Sequence, residues 1–452
     1  MTNNRSQWGS SFGVILATVG SAIGLGTIWR FPYLASKYGG GVFLLTYLIV
    51  CLTLGFILVV MELCLGRTAQ TSAVGAFSAV AKHKGWQAIG ILNTAAVWMV
   101  SWFYYIIGGW VLFYIVKIID GTIPIGENVK PAVFEGIFST FVANPVEPIF
   151  YCAVCLLLTL LIVAGGVKNG IEKFSKILLP IRLILMLALI ARAVTFPGGW
   201  EGVKCLLIPD FSKLTMAMLL EALGLGFFTL SLAMGIVLTY GSYTPNKVNL
   251  FNSAKWTTLL TVFACFLAGL VVLPTVFAFG FDPAAGPGLV FMVMPAIFGH
   301  MPLGLLFAVL FFVILYLAAQ LSAVSIAEAI TSFFIDQFHM KRRYAVLATA
   351  AAVFPMCIPL SLSLGIWSGA DYQFFGKTIF DLADYVAFSI MLPVGGILLS
   401  IFTGWVAWDK LESNLIGEGS RPIWLPIFKN TLRFVMPLLI LVILIQTNWP
   451  IF

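Results

Sequence analysis

The chain has 452 residues, of which 61% are hydrophobic and only 10% are charged. Soluble domains carry about 25% charged residues and charges are costly in a bilayer, so this composition excludes an ordinary soluble protein and predicts an integral membrane protein. The formal net charge of +7 then reflects Lys and Arg in cytoplasmic loops rather than a nucleic-acid partner. No soluble block is long enough to form a domain, so we predict one transmembrane domain over residues 1–452.

Apolar runs follow one another along the whole chain. A helix needs about 20 apolar residues to cross the hydrocarbon core. The runs that approach or exceed this length are 12–36, 42–66, 88–118, 149–166, 176–196, 214–241, 256–280, 303–337, 344–366, 380–407 and 427–447. They predict an all-α membrane protein with about eleven transmembrane helices.

The charges of the loops predict the orientation in a cell membrane. Lys and Arg, such as Arg67 and Lys82, concentrate in one alternating set of connections, whereas acids such as Asp120, Glu127 and Asp282 mark the other set. The positive-inside rule places the loops rich in Lys and Arg, and with them the N-terminus, in the cytoplasm. Eleven crossings then place the C-terminus outside.

Two of the predicted helices contain glycine-rich interruptions, at residues 20–26 and 224–235. They are the first and sixth helices, which cross in opposite directions, as two inverted five-helix repeats require. We place the repeats at residues 1–200 and 201–410, with 411–452 as an extra C-terminal helix. A broken helix frees backbone groups inside the membrane, where half-helix amino ends favour anions and freed carbonyls favour cations.

Longer motifs make this pattern specific. They are residues 20–33 (GSAIGLGTIWRFPY), 39–43 (GGGVF), 227–232 (FFTLSL) and 286–291 (GPGLVF), and Gly170 followed ten residues later by Pro180. From Arg5 to about the tenth helix, the chain resembles the neurotransmitter:sodium symporter family. Its eleven helices are similar to those of bacterial carriers of hydrophobic amino acids with the leucine-transporter fold. The resemblance implies a sodium-coupled symporter working by alternating access, not an enzyme.

The resemblance implies two sodium sites. The first would use the carbonyl of Ala22 and the hydroxyls of Thr27, Thr229 and Thr261. Thr27 and Thr261 stand where relatives often carry Asn, so an oxygen donor is kept but its reach is shorter.

The second site would use the carbonyls of Gly20, Ile23 and Ala318 with the hydroxyl of Ser322. Leu321 falls where the family has Thr or Asp, which removes one oxygen ligand unless the register slips near Gln320.

The resemblance also places a substrate between the two breaks. The implied binding residues are Ser21, Ala22, Gly24, Leu25, Gly26, Val100, Tyr104, Phe228, Thr229, Ser231, Met234, Ser322 and Ile326. Gly24 stands where monoamine carriers have Asp, which leaves room for a carboxylate and implies a zwitterionic α-amino acid. No charged residue falls in this set, and Met234 is flexible and polarizable, so we predict hydrophobic substrates, both aliphatic and aromatic.

Charged pairs in the resembling motifs imply a gate on each side. Arg30 would pair with Asp384 as the outer gate. Arg5 would pair with Asp336 as the inner gate, capped by Trp8.

Three further expectations follow from the resemblance. The Gly170–Pro180 stretch would unwind to release the second Na⁺. Glu62 would belong to a buried structural network. No chloride dependence is expected, because Leu225 and Cys265 offer nothing where the family's anion site would have donors.

Two alternatives use the same residues. A membrane sensor would bind amino acids without moving them, and paired gates on both faces argue against it. A channel needs a continuous polar lining, whereas the broken helices supply one central site. The three histidines are scattered and form no catalytic constellation with the cysteines or acids.

Overall fold

The computed structural model describes residues 5–81, 83–126, 129, 131–280, 289–416 and 424–448. The predictions that concern Lys82, Glu127, Asp282, residues 286–288 and the chain end at Phe452 lie outside these ranges. All regular elements of the described residues are helical, and two isolated backbone bridges, Gly40–Pro209 and Phe374–Lys377, are the only pairings of strand type among them. The all-α class is therefore confirmed.

The helices lie where the apolar runs predicted them. Their bounds are Ser11–Ala22 with Leu25–Lys37, Gly41–Ala69, Lys84–Ile119, Glu147–Ala164, Val167–Val194, Met216–Thr229 with Ile236–Ser242, Leu250–Ala278, Gly304–Phe338, Arg342–Leu362, Ile379–Val406 and Leu425–Gln446. Within the described ranges, nine of these helices are continuous and apolar enough to cross a membrane, and the bent first helix makes ten. The predicted sixth helix is present as two pieces, each too short to cross alone. We number the helices from first to eleventh in this order.

Both predicted interruptions are breaks in the backbone. The two parts of the first helix meet at an angle of 65°. In the sixth helix, Ser231 and Ala233 have φ of 54° and 60°, and Gly235 has φ of 69°. Non-glycine residues in this region cost roughly 1–3 kcal/mol each and persist only where their surroundings enforce them. The break at residues 230–235 is therefore built into the fold.

A buried carboxylate supports the break in the sixth helix. Glu62, fully buried in the second helix, accepts a hydrogen bond of 2.7 Å from the backbone N–H of Ala233. This contact satisfies an amide that the break has freed from helical bonding. It agrees with the buried network that the sequence predicted for Glu62.

Short helices outside the spanning set were not predicted separately. Among the described residues, these short α-helices are Ala73–Val80, Pro131–Ala143, Gly199–Leu207, Met294–Gly299 and Trp408–Ile416. In the centre, the first helix packs against the fifth, seventh and eighth helices, and the third helix packs along the eighth. This packing brings the two breaks together. The division at residues 200 and 410 stays a prediction.

Candidate functional site

A narrow cavity of about 20 Å³ lies where the two broken helices face the third and eighth helices. Its lining residues are Ser21, Ala22, Gly24, Gly26, Thr27, Val100, Tyr104, Phe228, Thr229, Ser231, Met234, Ile236, Ser322, Ser325 and Ile326. These include every predicted substrate-binding residue except Leu25. The backbone N–H of Leu25 points to the same place, donating to the Tyr104 hydroxyl at 3.4 Å.

Sequence reasoning missed Ser325 and Ile236 on this wall. Ser325 lies one helical turn beyond Ser322, so helical spacing could have found it. Ile236 directly follows the break in the sixth helix, and no motif marked it. None of the lining residues carries a charge.

Two glycines let the walls of the cavity approach each other. A Cβ atom on Gly24 would lie 2.6 Å from Ser322 Oγ and 2.8 Å from the Tyr104 hydroxyl oxygen. A Cβ atom on Gly26 would enter the ring of Phe228. The space beside Gly24 is therefore too small for even a methyl group, and an Asp side chain at this position would not fit without rearrangement.

Serine hydroxyls join the two breaks across the cavity. The carbonyl of Ser21 accepts hydrogen bonds from Ser231 Oγ at 3.2 Å and from Ser322 Oγ at 2.8 Å. Ser21 Oγ itself donates to Ser231 Oγ at 3.2 Å. The first, sixth and eighth helices are thus tied at one freed carbonyl.

The predicted ligands of the first sodium site lie around one end of this cavity. Ala22, Thr27 and Thr229 line it, whereas Thr261 is fully buried in the seventh helix, which packs against the Leu25–Ile28 segment. Each threonine hydroxyl donates its proton to a carbonyl of its own helix: Thr27 to Gly24, Thr229 to Leu225 and Thr261 to Thr257, at 2.7, 2.9 and 2.8 Å. Thr27 Oγ1 also accepts from Arg182 Nη2 at 3.2 Å, and Thr229 Oγ1 is bonded to the Tyr47 hydroxyl at 2.7 Å. Each hydroxyl oxygen has two lone pairs, so at least one remains on each for a hard cation.

The predicted ligands of the second sodium site have other partners. The carbonyl of Ile23 accepts a hydrogen bond of 2.9 Å from Nη1 of Arg182. Ser322 Oγ donates to Ser21, and Leu321 packs against Gly20, with its Cδ2 atom 3.2 Å from where a Cβ would stand. Sequence reasoning missed Arg182, although a charge in the interior of the apolar run 176–196, between Lys176 and Arg192 nearer its ends, is a recognisable signal.

The inner gate residues form a closed cluster. Arg5 Nη1 donates to both carboxylate oxygens of Asp336 at 2.8 Å, and its other nitrogens donate to Ser242 Oγ. Its guanidinium also lies over the ring of Tyr243, 4.8 Å from the centroid. Trp8 is buried, and its indole N–H donates to the carbonyl of Tyr240 at 3.0 Å.

The outer gate residues are arranged differently from the prediction. Arg30 Nη2 lies 3.6 Å from Glu221 Oε2 in the sixth helix, and no ion pair joins it to Asp384 among the described residues. Arg30 and Glu221 line a larger cavity of about 360 Å³, and Phe228 lines both this cavity and the central one. The expected pairing needs the first and tenth helices to approach, so it stays a prediction for another conformation.

The Gly170–Pro180 stretch is helical throughout. It begins with one wide turn of π type, Val167–Glu172, and continues as Lys173–Val194 with Pro180 inside. A Cβ on Gly170 would strike the carbonyl of Ile162, so the wide turn needs a glycine here.

Glu172 joins this turn to the first helix, a contact that sequence reasoning missed. Its carboxylate accepts from the Gly9 N–H at 2.7 Å, from Ser10 Oγ at 2.9 Å and from Lys176 at 2.6 Å.

A central cavity at two helix breaks, closed by an ion pair on one side, is the architecture of a secondary membrane transporter. Comparison with known proteins agrees. The sodium:neurotransmitter symporter family matches residues 5–144 and 138–449. The chain therefore belongs to this family. Its members are transporters rather than enzymes, so this chain is a multi-pass, sodium-dependent membrane transporter.

Individual relatives match along nearly their whole length. The sodium-dependent transporter YhdH of Bacillus subtilis is 38% identical over 97% of both chains. A sodium-dependent transporter of Haemophilus influenzae is 33% identical over 98% of this chain and 99% of its own. The crystal structure of MhsT in complex with L-phenylalanine is 38% identical, covers 98% of this chain and 100% of its own, and superposes with a TM-score of 0.88.

Proposed function

We propose that this protein imports hydrophobic L-amino acids, both aliphatic and aromatic, together with Na⁺. The central cavity carries the proposal, because it joins freed backbone groups at two helix breaks to an uncharged, mainly apolar wall. Alternating access of this cavity to the two sides of the membrane is the mechanism we infer. The complex of the similar MhsT with L-phenylalanine supports the substrate class.

The polar end of the cavity suits the carboxylate and the ammonium group of an amino acid. The carboxylate is expected at Gly24, where the Leu25 N–H and the Tyr104 hydroxyl meet and where a side chain would leave no space. The ammonium is expected at the freed carbonyls of the two breaks, among them that of Ser21. Na⁺ at the Thr27 and Thr229 hydroxyls would sit beside the carboxylate and favour its binding.

The apolar end of the cavity suits the substrate's side chain. Val100, Met234, Ile236 and Ile326 are all at most 3% exposed and line the wall beside Phe228. Burying an apolar side chain there contributes roughly 25 cal/mol per Å² removed from water. A charged side chain would lose its hydration without finding a partner, so charged amino acids should be rejected.

The gates support a cycle in two steps. In this structure the Arg5–Asp336 pair closes the inner side, while Arg30 lies beside the larger outer cavity. Substrate would enter from the outside, and loss of the inner pair would open the cytoplasmic path. The orientation of the protein in the cell membrane follows from loop charge, which places the N-terminus in the cytoplasm and the C-terminus outside.

Chloride has no evident place in this cycle. The Tyr47 hydroxyl is bonded to Thr229 Oγ1 at 2.7 Å and to Cys265 Sγ at 3.2 Å. Leu225 and Cys265 bring no charge and no strong donor, so we propose that transport is independent of chloride.

Uptake into proteoliposomes tests the proposal. Labelled leucine and tryptophan should accumulate with an inward Na⁺ gradient, and K⁺ in its place should abolish accumulation. Replacing chloride by gluconate should change nothing. Na⁺-dependent binding in detergent without uptake would indicate a membrane sensor instead, and the absence of both signals would refute the site and its substrate class.

A further inference from the structure

Arg182 places a buried positive charge in the membrane-spanning part of the fifth helix. Its side chain is 2% exposed. Nη1 donates to the carbonyl of Ile23 at 2.9 Å, and Nη2 donates to Thr27 Oγ1 at 3.2 Å, while Nε has no partner. Among the described residues, no carboxylate forms an ion pair with it.

A charge buried this way needs compensation. An arginine stays protonated in proteins, so the charge cannot be removed by loss of a proton. The compensating groups here are at the carboxyl end of the half-helix Ser11–Ala22, where freed carbonyls and the helix dipole leave about half a negative charge. Arg182 therefore satisfies the same end of the first helix that a bound cation would satisfy.

The position of Arg182 coincides with the expected second sodium site. That site required the carbonyl of Ile23, which Arg182 now uses. Leu321 brings a hydrocarbon side chain against Gly20 where the family's pattern has an oxygen ligand, and the Ser322 hydroxyl donates to Ser21. The residues present do not fit a second Na⁺. Two separate features of one site agree: a donor in place of the ion and an apolar residue in place of a ligand.

We propose that the Arg182 guanidinium is a built-in cation that takes the place of the second Na⁺, so that one Na⁺ accompanies each amino acid. The ion would bind at the first site, where Thr27 and Thr229 line the cavity and where Thr27 Oγ1 keeps one lone pair beside its bond from Arg182. Because Arg182 donates to Thr27 and to the carbonyl of Ile23, it holds both sides of the first break. The fifth helix is thereby tied to the first by a charge that does not dissociate during the cycle.

This inference rests on the proposed sodium-coupled transport, and the first experiment separates the two. Radioactive sodium and labelled leucine fluxes are measured together in proteoliposomes of the unmodified protein. We expect one Na⁺ per leucine and a hyperbolic dependence of uptake on Na⁺. Two Na⁺ per leucine would overturn the inference and leave the proposed function intact. No Na⁺-dependent uptake at all would refute the proposed function.

A second experiment tries to return the ion to its site. Arg182→Met alone should reduce uptake by about tenfold or more, since the freed carbonyls lose their cation. Adding Leu321→Thr should restore uptake, now with a sigmoidal Na⁺ dependence and two Na⁺ per leucine. Arg182→Lys keeps the charge and should keep one Na⁺ per leucine.

Arg192→Met is the matched control, because Arg192 lies on the same helix but bonds only to the neighbouring turn. It should leave both uptake and stoichiometry unchanged. Full uptake with one Na⁺ per leucine in Arg182→Met would overturn the inference. Thermal melting of each variant identifies loss of folding, and the flux ratio of the unmodified protein decides the matter without any variant.

Discussion

At the scale of single residues, Gly24 determines what the central cavity accepts. Gly24→Ala would place a methyl group 2.6 Å from Ser322 Oγ and 2.8 Å from the Tyr104 hydroxyl. The hydroxyl must then withdraw from the carboxylate position, and leucine affinity should fall by about 10- to 100-fold, or roughly 1.4–2.8 kcal/mol.

Equilibrium binding of labelled leucine in detergent measures this loss for Gly24→Ala. Gly136→Ala is the control, because a Cβ atom at this helical glycine meets nothing within 4 Å. Unchanged affinity in Gly24→Ala would mean that the carboxylate binds elsewhere.

Met234 should control the range of side chains that the cavity accepts. It is 3% exposed and lines the same cavity as Gly24 and Gly26. Met234→Phe replaces a flexible chain by a rigid ring, so bulky tryptophan should lose affinity relative to alanine by about tenfold, within the 1–3 kcal/mol expected of pocket volume changes. Competition against labelled leucine gives the ratio, and equal loss for both competitors would argue against Met234 as a size filter.

The residues of the cavity were predictable because one unbroken motif carries many of them. Residues 20–26 contribute backbone groups to the site, and a break of the first helix at this motif is sufficient to expose them there. The role of Arg182 was not predicted, because it depends on the packing of the fifth helix against the first. The partner of Arg30 was also beyond the sequence. Whether Arg30 pairs with Glu221 of the sixth helix or with Asp384 of the tenth depends on how these helices are spaced in the conformation adopted.

At the scale of elements, the start of the fifth helix contacts the N-terminal end of the first. Pro180 lacks a backbone N–H, so the carbonyl of Lys176 loses its usual helical donor and the helix is weaker there. Pro180→Ala should strengthen the helix, slow turnover several-fold and spare leucine binding. Single-turnover and steady-state uptake measure the effect, and unchanged turnover would refute unwinding as a step.

Pro180→Ala is a cleaner probe of this step than Gly170→Ala. A Cβ on Gly170 would strike the carbonyl of Ile162 and disturb the closed form itself.

Glu172 should anchor the segment that precedes the first helix. It accepts hydrogen bonds from Gly9 and Ser10 and an ion pair from Lys176. Glu172→Ala removes all three, so amide hydrogen exchange should rise over residues 8–14 while the outer half of the helix keeps its protection. Glu201→Ala is the control, since that exposed glutamate pairs only with Lys204, outside the spanning helices. Equal exchange in both variants would mean that Glu172 anchors nothing.

The breaks were predictable as elements, but their geometry was not. Glycine clusters and loop charge identified which two helices are interrupted. The 65° bend and the left-handed residues Ser231 and Ala233 depend on tertiary contacts, such as the bond from Ala233 to Glu62. No local propensity would place a serine and an alanine at positive φ.

At the scale of the whole molecule, the number of Na⁺ ions sets how steep a gradient the protein can sustain. One charge crossing about 100 mV supplies about 2.3 kcal/mol, which is equivalent to roughly 50-fold accumulation of a zwitterion. A second ion would square this accumulation factor. With Arg182 in place of the second Na⁺, the protein would reach a lower maximum accumulation ratio but would use fewer Na⁺ ions per amino acid.

The predicted inner gate should influence which conformation the whole molecule adopts. Arg5 connects Asp336 of the eighth helix to Ser242 of the sixth, and Trp8 bonds to the same end of the sixth helix through Tyr240 and Tyr243. Several bonds thus close the cytoplasmic path at one residue cluster. Losing the central charge should leave the remaining apolar and backbone contacts too weak to hold the path closed, which shifts the population toward the inward-open state.

Arg5→Ala tests this shift. Amide exchange should rise over Ile236–Ser242, and leucine should dissociate faster to the cytoplasmic side, so net accumulation falls although the cavity residues are untouched. Arg343→Ala is the matched control, because the side-chain contacts of this exposed arginine within the described ranges are to its neighbour Tyr344. If exchange over Ile236–Ser242 matches the control, the Arg5 cluster is not the barrier, and the apolar packing around Trp8 closes the path by itself.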